Sequence, residues 1–279
     1  MKTRIITGVV AAFLLVWLLN SGPVSLIVSV TLVAAALAYL EFDRIFFSDE
    51  SRSPKTILTR QIKLITLISL TMLSMPKGAT ASWVAFWLSF ILLASLGVVT
   101  AEKDQDMPNA VRRISLELAG YIYVLGLLGF VVPILEVSAQ GRNFLFFLFV
   151  VVFTGDSIAY FVGMKFGRHR LAPHLSPKKS WEGALGSLVG ALIAAAAWLH
   201  FSFGVELTSE VAIKFLLVTP VLNVLAQLGD LFESLLKRSQ TVKDSGALFP
   251  GHGGILDRID AFLLSSPVFY FFLIYVVEV

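Results

Sequence analysis

The sequence predicts an all-α, polytopic protein of the cell membrane, with about nine transmembrane helices and a polar site near the cytoplasmic face. Composition is the first ground: 57% of the 279 residues are hydrophobic and 15% charged, whereas charged residues make up about 25% of a soluble domain. Apolar runs recur, secondly, at the length a bilayer demands, about 20 residues per helix. The third ground is the placement of Lys and Arg, which mark the cytoplasmic ends of membrane helices. With the N-terminus inside, 19 of the 22 basic residues fall on the cytoplasmic side, and only Lys77, Arg142 and Lys214 fall outside. A net charge of +3 does not point to nucleic acid, and the absence of cysteine removes disulfides, thiolate nucleophiles and cysteine-bound zinc together.

In chain order, the spans are expected at about 5–20, 24–41, 60–76, 81–100, 114–136, 143–163, 183–203, 211–236 and 257–277. The first follows Lys2 and Arg4 and ends at Ser21-Gly22-Pro23. A cleaved signal peptide has a similar outline, but a second apolar run follows at once and no small-x-small cleavage site precedes it. The loop 42–59 is the natural divide, giving an N-terminal hairpin (1–55), middle helices (56–136) and a C-terminal region (137–279) that holds the polar motifs.

The eighth span carries Asn223, Gln227, Asp230 and Ser234 at steps of four, three and four, a polar stripe on one helix face. Such a face cannot look at lipid, because an ionised Asp at membrane depth costs about 2.5–3.5 kcal/mol on insertion scales. Either another helix satisfies it or it is functional, and the stripe leads directly into the densest polar island, residues 234–260. There Asp257 and Asp260 stand three apart where the last helix begins, so both point to one side and Arg258 turns away. Acids at a helix N-terminus also gain from its dipole, which is the competing reading for Asp260. Asp257, converging with Asp230 from the neighbouring helix, is expected to ligate Mg2+, an ion held by one or two carboxylates plus substrate phosphates. His252 is a poor ligand for so hard an ion and is expected to donate to phosphate or to brace the turn. Pro250-Gly251-His252-Gly253-Gly254 is either a plain interhelical loop or a nest of backbone N–H groups for phosphate oxygens.

A second polar island runs from Asp156 to Gly183. Asp156 and Tyr160 are one helical turn apart and can face one cavity. Lys178 and Lys179 precede a helix expected to start near Ser180, a ready phosphate site, although the positive-inside rule alone would also place them there. Glu182 reads as a dipole partner in the first turn. Small residues at Gly183, Ser187, Gly190, Ala191, Ala194 and Ala195 favour close helix packing or a homodimer face.

The spacing from Ser234 to Asp260 resembles the signature of the phosphatidate cytidylyltransferase (CDP-diacylglycerol synthase) family, S-x-x-K-R-x4-K-D-x5-P-G-H-G-G-x2-D-R-x-D, with every fixed position present. The likeness also covers Asp156 to Gly183, while residues 1 to about 110 match only in being hydrophobic. It implies a membrane enzyme condensing CTP with phosphatidate to CDP-diacylglycerol and pyrophosphate, using Mg2+; whether a second, monovalent cation shares the site stays open. The implied catalytic set is Asp230, Asp257, Lys243, Asp244 and Asp260, with Asp230 and Asp257 on the metal. The implied substrate contacts are Asp156, Tyr160, Lys178, Lys179, Ser234, Lys237, Arg238, His252, Gly253, Gly254 and Arg258. Two rivals are a CTP-dependent lipid-alcohol kinase and a secondary transporter; against the transporter, the polar groups gather at one membrane face and no inverted repeat is visible.

Overall fold

Long apolar runs become helices in the structure, a computed structural model that describes residues 2–47, 79–101, 106–248 and 253–278. Its described elements are α1 (Lys2–Ser21), α2 (Val24–Phe47), α3 (Ala79–Ala101), α4 (Met107–Gly120), a π-helical stretch (Tyr121–Gly126), α5 (Val131–Glu136), α6 (Gly141–Phe166), β1 (Arg170–Ala172), β2 (Ser176–Ser180), α7 (Trp181–Ser202), α8 (Glu210–Ser239) and α9 (Leu256–Phe272), which ends in a second π-helical stretch, Leu273–Val277. The span expected at 60–76 lies outside the described residues. Six helices among the described residues are long and apolar enough to cross a membrane, against the nine spans expected along the whole chain: Val24–Phe47, Met107–Glu136, Gly141–Phe166, Trp181–Ser202, Glu210–Ser239 and Leu256–Val277.

Two features depart from unbroken helix. The run expected at 114–136 is interrupted between Gly126 and Val131. Glycines at 120, 126 and 129 weaken helix there, and Pro133 sits in the first turn of α5, where its missing N–H costs little. Secondly, the chain is not wholly α: β1 and β2 pair antiparallel, Arg170 opposite Ser180 and Ala172 opposite Ser176. Pro173 and Pro177 bar a helix from this link, and the extended chain satisfies its backbone by pairing with itself.

The chain divides into two compact units, residues 1–133 with 245–256, and residues 134–244 with 257–279. In the first, α2 packs against α4 and the π-helical stretch, and α3 against α4. The Phe42 ring lies where a side chain on Gly120 would be, and Phe86 stacks on Tyr121 at 5.1 Å between ring centroids. In the second unit α6 lies against α7, and α7 against α8. The small residues of α7 are spent on this contact: a Cβ on Gly190 would come within 2.3 Å of Ile158, and one on Gly186 within 2.8 Å of Val162. An aromatic core of Phe147, Phe215 and Phe269 ties α6, α8 and α9 together, with centroids 5.0–6.2 Å apart.

The outside of this unit is apolar as well as its core. On α7, Gly183, Ser187, Gly190 and Ala191 are buried while Leu185, Val189 and Ile193 are 57–65% exposed. Leu217, Val221, Val224, Leu228, Phe232 and Leu235 form a similar exposed row along α8. A contiguous apolar surface of this extent has no place in water, and small buried residues under large outward ones is how membrane helices pack. The protein is membrane-embedded.

Candidate active site

The polar cluster of the second unit is built on α8. Ser209 caps its start by accepting from the Ala212 N–H at 3.2 Å, and Asn223 and Gln227 of its polar stripe face α7. Asn223 donates to Ser187 Oγ at 2.8 Å, and Gln227 donates to Asn223 Oδ1 at 2.8 Å and to the Ala184 carbonyl at 3.4 Å. This chain of amides consumes the upper stripe in helix packing. One turn on, Gly229 has no side chain because the Asp260 carbonyl of α9 occupies the place, only 2.4 Å from where a Cβ would sit. Close approach of the two backbones there brings the acids of α8 and α9 together.

Asp230, Glu233 and Asp260 each offer a carboxylate oxygen within 4.8 Å of the other two. Glu233 is 1% and Asp260 8% exposed, and Glu233 Oε1 is buried with no hydrogen-bond partner among the described residues. Three cations surround the group. Lys179 reaches Asp230 Oδ2 at 2.7 Å and donates to the Gln227 carbonyl at 3.3 Å. Lys237, itself buried, bridges Glu233 Oε2 and Asp257 Oδ1, each at 2.5 Å. Arg258 lies within electrostatic reach of Asp156, as do Asp230 and Lys179.

Five carboxylates (Asp156, Asp230, Glu233, Asp257, Asp260) thus meet three cations, a formal excess of two acids over bases. Buried carboxylates are normally neutralised by pairing or by metal. An all-oxygen donor set, an orphaned buried oxygen and this charge deficit fit a hard divalent cation.

Not every residue singled out from sequence arrives at the cluster. Asp257, expected to share an ion with Asp230, joins the cluster through Lys237, and the acids whose oxygens lie within 4.8 Å of Asp230 are Glu233 and Asp260. Lys178 and Lys179 read as a pair in the sequence, but they are neighbours on β2, where successive side chains point to opposite faces. Lys179 goes to Asp230 and Lys178 is exposed. Tyr160 is 64% exposed, Ser234 contacts Asp230 Oδ1 at 3.5 Å, and Arg238, Lys243 and Asp244 are exposed. Glu182 does more than face the helix dipole: it accepts from the Arg168 and His169 N–H groups and meets His169 Nδ1 at 2.6 Å, latching the hairpin to α7.

The glycine-rich part of the island belongs to the first unit. His252 lies outside the described residues; Gly253 has φ +80°, a conformation that favours glycine, and Gly254 is buried against Glu41.

A model of the cytidylyltransferase family matches residues 2–276, nearly the whole chain. The chain belongs to the cytidylyltransferase family. Among curated relatives, it is 33% identical over 284 residues to the phosphatidate cytidylyltransferase of Bacillus subtilis, covering 98% of this chain and 97% of that protein. It is 31% identical over 274 residues to the enzyme of the same name from Thermotoga maritima, covering 97% and 95%. To that from Haemophilus influenzae it is 42% identical over 137 residues, covering 49% and 48%. Membership of the cytidylyltransferase family makes the protein a nucleotidyltransferase, and the acidic cluster could hold the divalent metal such chemistry generally needs.

Two buried acids, one in each unit, escaped the sequence. Glu233 was legible in principle: it stands three after Asp230 and four before Lys237, both spacings that place side chains on one face. Glu41 was not, because nothing within α2 relates it to a loop more than 200 residues away.

Proposed function

We propose that the protein condenses CTP with phosphatidate, giving CDP-diacylglycerol and pyrophosphate for phospholipid synthesis, at the carboxylate–lysine cluster of α8, α9 and β2. The observation carrying this reading is the convergence of Asp230, Glu233 and Asp260 with Lys179 and Lys237 beside the family signature. A phosphatidate oxygen attacks the α-phosphorus of CTP in line; the new O–P bond forms as the bond to the β-phosphate oxygen breaks and pyrophosphate leaves. The attacking oxygen is already ionised, so the protein has to position and to stabilise charge rather than to remove a proton.

Asp230, Glu233 and Asp260 would hold Mg2+, with Asp257 set behind them on Lys237. When bound, the ion supplies Lewis-acid stabilisation of the phosphoryl oxygens. Lys179 and Lys237 each have an ammonium proton beyond those given to the protein acceptors named above, and present it to substrate phosphate. Arg258, Lys243, Arg238 and Lys178 complete the basic surround, and Asp156 orients Arg258 and Lys179. Ser234 supports Asp230. The site opens to the cytoplasm, where CTP is, and the lipid enters from the bilayer.

The test is the purified protein in detergent with CTP, phosphatidate and Mg2+, followed for pyrophosphate and lipid-linked CMP. Label from the α-phosphate of CTP on the lipid is expected; label from the γ-phosphate alone would mean kinase chemistry. Orientation is tested with a single cysteine at position 240, free of background because the chain has none. Its labelling by an impermeant reagent outside intact cells would reverse the topology.

A further inference from the structure

Glu41 is a buried carboxylate, 5% exposed, in the apolar helix α2. Its Oε2 accepts from Ser245 Oγ and from the Leu256 N–H, both at 2.9 Å, and its Oε1 accepts from the Ile255 N–H at 3.0 Å. Leu256 is the first residue of α9, so the carboxylate also meets the electropositive end of that helix. The two glycines flanking these donors make room for it. A Cβ on Gly246 would lie 2.5 Å from Glu41 Oε1, and one on Gly254 would lie 2.2 Å from Oε2. One side chain from the N-terminal hairpin therefore holds both ends of the stretch between Ser245 and Leu256, a stretch whose sequence is otherwise full of glycine.

We infer that Glu41 is a positioning residue for the transfer reaction. It fixes where α9 begins, and with it the helical phase of Asp257, Arg258 and Asp260, which follow Leu256 by one, two and four residues. A shift of one residue in that start would rotate each of these side chains by about 100°, more than a quarter turn. Three donors converging on two oxygens need a carboxylate: an amide of the same shape would turn an N–H toward one of them. The inference rests on the proposed cytidylyl transfer for its kinetic readout, and has a second readout that does not.

The experiment compares Glu41→Gln and Glu41→Asp with the parent in detergent. In Glu41→Gln, amide exchange at Ile255 and Leu256 is expected to rise about tenfold or more, the scale of hydrogen bonds to a charged group. At saturating CTP and phosphatidate kcat is expected to fall about tenfold or more, on the same scale, with the folded fraction unchanged by size-exclusion and exchange in α6 and α7. Glu41→Asp, which keeps the charge, is expected to recover part of both. Parental exchange at the two amides overturns the inference, and so does faster exchange with parental kcat. If Glu41→Gln does not fold, Ser245→Ala removes the hydroxyl that donates to Glu41 and leaves the carboxylate in place; a lowered kcat at unchanged folded fraction supports the clamp, and a parental kcat overturns it. A parent that makes no lipid-linked CMP defeats the proposed activity instead, and exchange at Ile255 and Leu256 still decides whether Glu41 holds the start of α9.

Discussion

Magnesium should raise the melting temperature of the parent protein and should not raise that of Asp260→Asn. Asp230, Glu233 and Asp260 present oxygens within 4.8 Å of one another. At that distance and an effective dielectric of 20, two carboxylates repel by about 3.5 kcal/mol. Without metal, Asn at 260 relieves two such contacts, with Asp230 and with Glu233, and can still accept from the Ala261 N–H, which lies 2.8 Å from Asp260 Oδ1. The variant is therefore expected to melt at or above the parent in EDTA. With Mg2+ at about a hundred times its dissociation constant the parent gains about 2.7 kcal/mol, which at about 2–4 °C per kcal/mol is a rise of several degrees. The contrasting variant is Asp257→Asn, which weakens a buried ion pair to Lys237 while Glu233 keeps the other half. A loss of about 1.5–3 kcal/mol is expected with or without Mg2+, the worth of a charge-assisted bond. Thermal unfolding in detergent, each protein in EDTA and in Mg2+, gives all the values. An Asp260→Asn protein that melts early in EDTA, or that keeps the full Mg2+ shift, refutes the assignment of these acids to a cation.

Lys179→Ala should cost more in kcat/KM than Lys178→Ala, by about tenfold or more on the scale of a charged hydrogen bond, because only Lys179 is paired into the cluster; equal losses in the two variants would count against it. Gly229→Ala drives a methyl into the Asp260 carbonyl and should cost about 1–3 kcal/mol of stability, with activity falling further as α8 and α9 separate; a melting curve like the parent's would contradict the contact. Thr241 closes α8 in the left-handed region with φ 57°, its N–H on the Arg238 carbonyl and that of Val242 on the Lys237 carbonyl. This is the pattern glycine usually completes. Thr241→Gly should thus gain up to about 1 kcal/mol in denaturant or thermal unfolding, steric relief outweighing the added chain entropy, and a loss would show that the threonine side chain matters.

The helices were legible because lipid imposes length and hydrophobicity on each segment separately. What lay beyond reach required knowing which segments meet. Asn223, Gln227 and Asp230 could be read as one face from spacing alone, yet spacing could not say that the first two are used up on Ser187 and Ala184 while Asp230 remains for Lys179. Lys178 and Lys179 look alike in sequence; they part company only because the link folds as a hairpin, which sends neighbours to opposite sides. At the start of α9 the spacing put Asp257 and Asp260 on one face, but which acid joins Asp230 depends on how that helix is phased. The first N–H of that helix, on Leu256, is given to Glu41, 215 residues earlier in the sequence, and no local pattern carries that contact.

The charge balance has a consequence for the order in which ligands can bind. Lys237 gives two of its three ammonium protons to Glu233 and Asp257, and Lys179 gives two to Asp230 and the Gln227 carbonyl. Neither lysine is a bare cation awaiting phosphate, and the cluster around them has a formal excess of two acids over bases. The triphosphate of CTP approaching this cluster alone meets net repulsion; accompanied by a divalent cation, it meets three carboxylates that complement the ion. CTP should accordingly bind the parent protein in Mg2+ and at least about a hundredfold more weakly in EDTA, a difference of about 2.7 kcal/mol. In Asp230→Asn that ratio should shrink from both ends, since the variant repels the bare nucleotide less and holds the ion less well. Calorimetric titration of CTP into both proteins measures it. Equal affinity in EDTA and Mg2+ would mean that the phosphates are held by the exposed basic residues alone, and that the buried acids serve the fold rather than the nucleotide.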